Sequence, residues 1–160
     1  MVGQKQKRTV KVKIIVDTNI VFSAILNSTS KIGKILLTSH KHFQFYSCDF
    51  LQHEILRHRR KLLSLTKLSE EKLIEIEGFV TDNITFINEK LLSKTLFEKT
   101  ELLLRDIDPD DTPFVALTKH LDGILWTGDL KLYNGLKSKR FKKIITTAEL
   151  SLLLDSLERE

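Results

Sequence analysis

A chain of 160 residues, 41% of them apolar, points to one domain with a core large enough to fold alone. One cysteine excludes an intramolecular disulfide, and no apolar run approaches the roughly 18 residues needed to cross a bilayer. A net charge of +5 favours an anionic partner such as nucleic acid without requiring one.

Residues 1–11 are basic and polar and lack the apolar core of a secretory signal, so a flexible arm and a cytoplasmic protein without membrane contact are expected. Two prolines and six glycines leave no linker, and no internal repeat occurs, so residues 1–160 are read as one domain. The first element is the β-branched run Val12–Val16, which suits a strand buried on both faces and ends in Asp17. A helix from about Ile20 carries Val21, Ala24 and Ile25 and breaks at Asn27-Ser28-Thr29. Ser30 caps a second helix through Leu37, with Ile32, Ile35 and Leu36 on one face. Phe43–Ser47 is a short strand, and Cys48 after it is a small half-buried residue rather than a nucleophile.

Asp49 to about Leu63 has one unbroken helical period, opened by Asp49 and Gln52 at capping-box spacing. Ser69 starts another helix, with Leu73, Ile76, Phe79 and Val80 on its buried side. Ile84–Ile87 is a third strand, and Leu91–Leu104 is helical in parts. The acidic stretch from Asp106 to Pro113 runs into a helix start, where proline's missing N–H costs nothing. That helix turns Phe114, Val115, Leu117 and Leu121 inward and stops at Gly123. Ile124–Thr127 is a fourth strand, Gly128-Asp129 a turn, and Lys143–Thr146 a fifth strand. Thr146 and Glu149 form a capping box for a last helix through Leu157. Strands alternating with helices predict an α/β three-layer sandwich: a mainly parallel sheet in the order 3-2-1-4-5, with helices on both faces.

In a parallel sheet all strand carboxyl ends share one edge, and open α/β sheets place their sites there. Asp17 ends strand one and Asp129 follows strand four, facing each other across the switch point. Glu54 lies in the second turn of the helix leaving strand two, and Asp111 opens the helix that precedes strand four. Each acid taken singly has an ordinary role. Asp17, Asp110 and Asp111 can cap helices, Asp129 can shape a turn, and Glu54 can pair with His58 one turn on. Taken together they conflict, because two like charges about 4 Å apart repel by roughly 4 kcal/mol at an effective dielectric near 20. A cation or raised pKa values must relieve the cluster. Oxygen-only ligands select magnesium or manganese over zinc.

Basic residues follow these acids. Arg57 and Lys61 lie on the Glu54 side of its helix, Lys131 stands beside Asp129, and Lys137, Lys139, Arg140, Lys142 and Lys143 form a run before strand five. Of the histidines, His40, His42 and His120 lie off the proposed edge. His53 and His58 flank Glu54, and all five are read as surface residues.

Four stretches together resemble the PIN-domain nucleases over about residues 12–150. They are Val16-Asp17-Thr18-Asn19, Glu54 in its helix, Asp108 through Leu117, and Trp126-Thr127-Gly128-Asp129. They resemble the bacterial members that act as toxins of toxin–antitoxin pairs. The resemblance implies a Mg2+- or Mn2+-dependent endoribonuclease with Asp17, Glu54, Asp111 and Asp129 as catalytic, metal-holding acids. Asn19 and Thr127 match accessory positions, and Asp108 and Asp110 compete with Asp111 for the metal. It further implies an RNA substrate, an antitoxin wrapping a basic cleft, and a homodimer. The RNA-binding candidates are Arg57, Lys61, Lys131, Lys139 and Arg140. One departure is Thr118-Lys119-His120, where small apolar residues are expected. The rival reading is a non-catalytic RNA- or protein-binding PIN-like domain. Haloacid-dehalogenase chemistry is disfavoured because Asn19 stands where its second acid is required. Nucleotide-binding folds are disfavoured because no glycine-rich loop follows strand one.

Overall fold

The computed structural model describes residues 10–160. The expected basic arm therefore lies outside the described residues, apart from Val10 and Lys11, which are exposed coil. Five strands form one parallel sheet: β1 (Val12–Val16), β2 (Phe43–Cys48), β3 (Ile84–Ile87), β4 (Ile124–Trp126) and β5 (Ile144–Ile145). The order is β3-β2-β1-β4-β5, as the alternation and the handedness of crossovers predict. Nine helices occur among the described residues: α1 (Thr18–Leu26), α2 (Lys31–Thr38), α3 (Asp49–Arg57), α4 (Arg59–Thr66), α5 (Glu70–Thr81), α6 (Lys94–Leu104), α7 (Thr112–Leu121), α8 (Leu130–Ser138) and α9 (Thr147–Glu158). No single helix among them is long and apolar enough to cross a membrane.

β1 is the axis of the sheet. Ile14, Ile15 and Val16 are wholly buried, as a strand covered on both faces requires. On either side it pairs with β2 and β4, so Val16 lies beside Trp126 in register. α7 packs over β1 and β2, with Phe114, Val115 and Leu117 buried. Phe43, Phe45 and Trp126 stack in series at centroid separations of 6.1 and 6.2 Å. The indole N–H of Trp126 donates to Thr147 Oγ1 at 3.0 Å, which ties α9 to the sheet. Gly123 lets the chain enter β4 closely: a Cβ there would meet the Ile15 side chain and stand 3.0 Å from the Lys13 carbonyl.

Several expectations are corrected. α1 begins at Thr18, two residues earlier than periodicity suggests, because Asp17 itself caps it. The helix expected to run unbroken from Asp49 to Leu63 breaks at His58, whose backbone sits at φ −100° and ψ 11°. The cause lies outside that segment. Arg59 pairs with the buried Glu77 of α5 at 2.6 Å, and Leu62 is buried, so α4 turns toward α5. The Asp49–Gln52 capping box does not form, because Cys48 occupies the cap and makes no side-chain bond. On α5, Phe79 is 64% exposed while the acid Glu77 faces inward, the reverse of what hydrophobicity suggests. α8 stands where the sequence suggests only a turn and a charged run. It buries just Leu132 and Leu136, too weak a stripe to stand out in the sequence. The capping box at Thr146 and Glu149 forms as expected.

Candidate metal centre

Asp17 stands at the carboxyl end of the central strand. Its Oδ1 accepts the Ile20 N–H at 3.0 Å, and its Oδ2 accepts the Thr127 hydroxyl at 2.7 Å. It therefore caps α1 and belongs to the acidic edge at once. Only 3% of it is exposed, and burial pushes its carboxyl up to about 6 despite these bonds, with the Asp129 charge adding to the rise. Thr127 is also buried, and its Oγ1 accepts the Asp129 N–H at 3.0 Å. One hydroxyl thus joins the ends of β1 and β4 across the switch point. Asp129 caps α8, with Oδ1 accepting from Lys131 and Leu132 N–H at 2.9 and 3.2 Å.

The acidic loop before α7 brings further carboxylates to this edge. Pro109–Asp111 forms a 3₁₀ turn, in which side chains three residues apart eclipse. Asp108 and Asp111 are so spaced, and oxygens of Asp108, Asp111 and Asp129 lie within 4.8 Å of one another. Asp108 accepts the Asp110 N–H at 3.1 Å, whereas the Asp111 side chain caps nothing. Burial pushes the Asp111 carboxyl up to about 7, and the charges of Asp108, Asp17, Asp129 and Asp110 push the same way. A set of oxygen-only donors, in which burial makes Asp17 and Asp111 resist ionisation, is the donor chemistry of a hard divalent cation.

Sequence reasoning placed Asp17 rather than Asp108 in the closest trio. The sequence leaves Asp108 and Asp110 competing with Asp111 for the metal, and the signal that favours Asp108 is its three-residue spacing from Asp111 across proline. Glu54 lies outside the trio. It lines a cleft of about 850 Å³ together with Asn19, Phe22, Arg57, Lys61 and Asp111. Its carboxylate is held by His58 Nε2 at 3.1 Å and lies 3.7 Å from Arg57. The pairing with His58 considered from the sequence is therefore present. Asp110 is exposed and also lines this cleft.

The basic candidates separate into two groups. Arg57 and Lys61 line the cleft, and Lys131 is exposed in the first turn of α8 beside Asp129. Lys139 and Arg140 are not brought to this edge. α8 carries the chain roughly 13 Å along its axis at 1.5 Å per residue, toward the start of β5 on the opposite side of the sheet. There Lys139 pairs with Asp106 and donates to the Leu103 carbonyl at 2.7 Å, fastening α8 to the end of α6. The departure at Thr118-Lys119-His120 also falls away from the acids: Thr118 is buried and donates to the Phe114 carbonyl at 2.8 Å. Cys48 is buried, and its thiol is pushed up to about 12 chiefly by burial, so it is inert as a nucleophile.

No curated protein matches the chain in sequence. The fold is similar to that in the crystal structure of VapBC2 from Rickettsia felis bound to a DNA fragment from their promoter. The TM-score is 0.64 at 14% identity, over 84% of this chain and 97% of that one. A family model described as the PIN domain matches residues 15–151. With that match covering most of the described chain and all the acids above, the chain belongs to the PIN-domain family.

Proposed function

We propose that this protein is a metal-dependent endoribonuclease and the toxin of a toxin–antitoxin pair. The observation that carries the proposal is the convergence of Asp17, Asp108, Asp111 and Asp129 on one sheet edge, with Asp17 and Asp111 pushed up to about 6 and 7. Such a cluster is costly unless a cation neutralises it. Asp108, Asp111 and Asp129, with Asp17 beside them, would hold Mg2+ or Mn2+. When bound, that ion supplies positive charge to the scissile phosphate and lowers the pKa of water. Thr127 keeps Asp17 and Asp129 at fixed separation. Glu54, across the cleft wall, would complete the outer shell of the ion and orient the attacking water. Asn19 offers a further polar contact on that wall, and Arg57 and Lys61 bind the flanking phosphates.

The antitoxin proposal rests on the resemblance and on the likeness to VapBC2, which was solved on promoter DNA. Its partner would cover the same cleft with an acidic or amphipathic segment, complementing Arg57 and Lys61. A homodimer and a cytoplasmic site of action follow from the same resemblance.

The test is direct. Single-stranded RNA is incubated with the protein and manganese, beside an Asp17→Asn variant. Cleavage by the wild type and a loss of at least about 100-fold in the variant are expected, the scale seen when a residue central to transition-state stabilisation is removed. Equal cleavage, or none by either protein, would favour a non-catalytic binding domain.

A further inference from the structure

Glu54 has three side-chain torsions and its carboxylate takes no backbone hydrogen bond, so something else must choose its orientation. Arg57 is a poor candidate: it lies 3.7 Å away, and its side chain is 76% exposed. His58 is better placed. Its Nε2 stands 3.1 Å from Glu54 Oε2. An ionised carboxylate only accepts, so this nitrogen donates. The imidazole is itself held, since its ring meets Phe22 of α1 edge to face at 5.6 Å and 77°. Its backbone occupies the break between α3 and α4, which the Arg59–Glu77 pair fixes from the far side. Phe22, Glu54 and His58 all line the cleft that Asp111 enters.

We infer that His58 is the positioning residue of Glu54, presenting that carboxylate to the cleft in one orientation; this rests on the nuclease reading proposed above. A surface pair at the same helical spacing would have neither the aromatic buttress nor the fixed break. In its absence Glu54 samples other rotamers, and its contribution to the site falls as if the carboxylate had been removed.

A double-mutant cycle tests this. Manganese affinity is measured by calorimetry, and kcat and KM on a single-stranded RNA oligonucleotide, for the wild type, Glu54→Gln, His58→Ala, His58→Gln and the Glu54→Gln/His58→Ala pair. Melting temperatures of all five report folding. His58→Ala and Glu54→Gln should each lower manganese affinity and kcat about tenfold, the effect of losing a supporting partner of a metal site, with KM within about twofold. The double variant should be no worse than Glu54→Gln alone. His58→Gln, which keeps an N–H donor, should recover most of the loss. The inference is overturned if His58→Ala matches the wild type, or if the two losses multiply. A wild type that binds manganese but cuts no RNA defeats the nuclease reading alone, because the calorimetric cycle still decides the role of His58. A wild type that binds no manganese defeats both.

Discussion

Asp17 and Asp111 are the perturbed acids of the site: burial raises both pKa values, and neighbouring carboxylates add to the rise. Their folded pKa values are raised above the usual carboxylate value. Their contribution to stability is thus fully present below about pH 4 and lost as the pH rises through about 6 and 7. A divalent ion that binds only the folded, ionised site reverses the loss by mass action. Manganese should therefore raise the melting temperature more at pH 8 than at pH 5, measured against a chelator control. Equal shifts at both pH values would show that the acids are not its ligands. Thr127 belongs to the same scale. Thr127→Val keeps the shape but removes the hydroxyl that bonds both Asp17 and the Asp129 N–H. We expect a loss of about 2 kcal/mol, as for a buried hydrogen bond to a charged group, seen as a lower denaturant midpoint together with reduced cleavage.

Among the elements, the break between α3 and α4 sets the cleft wall. Helical period alone gives one continuous helix, and the break follows from contact with α5, which lies later in the chain. Glu77 is 6% exposed and its carboxylate takes two bonds from the Arg59 guanidinium. Arg59→Met leaves that carboxylate buried and unpaired. Chemical denaturation should show a loss of about 3 kcal/mol, with most of it recovered in Arg59→Met/Glu77→Leu, because replacing both partners of a buried pair by apolar groups is nearly neutral. Full additivity of the two changes would mean that the pair does not hold α4. α8 shows the opposite relation between sequence and structure. Its cap, Asp129, was recognised as a site residue, yet the helix it opens was missed.

Over the whole molecule, the parallel sheet sorts charge by edge. Residues just after a strand or at the start of a departing helix lie with the acids, and residues just before a strand lie opposite. Lys139 and Arg140, just before β5, fall on the second edge, whereas Arg57 and Lys61 stay with the acids because both line the cleft that Asp111 enters. RNA affinity measured against salt should lose about one phosphate contact from its slope in Arg57→Ala and again in Lys61→Ala. Lys139→Ala and Arg140→Ala should leave the slope unchanged. A drop in the latter pair would require RNA to wrap around to the far edge.

The amino-acid sequence by itself determined the strand order and the four separate acids, because β-branched runs, caps and the spacing of strand and helix are local properties of the chain, and the resemblance of four short stretches carried the family. It also carried the Asp17–Asp129 juxtaposition, since crossover handedness leaves few sheets possible. Only the tertiary structure decided that Asp108 joins Asp111 and Asp129, that Glu54 stands apart with His58, and that the second basic run faces away. Those outcomes depend on a 3₁₀ turn, on a buried ion pair between α4 and α5, and on the length of α8. The approach of Asp129 to the acidic turn and the Arg59–Glu77 pair are contacts between residues far apart in the chain, and α8 is weakly amphipathic, so no local pattern records them.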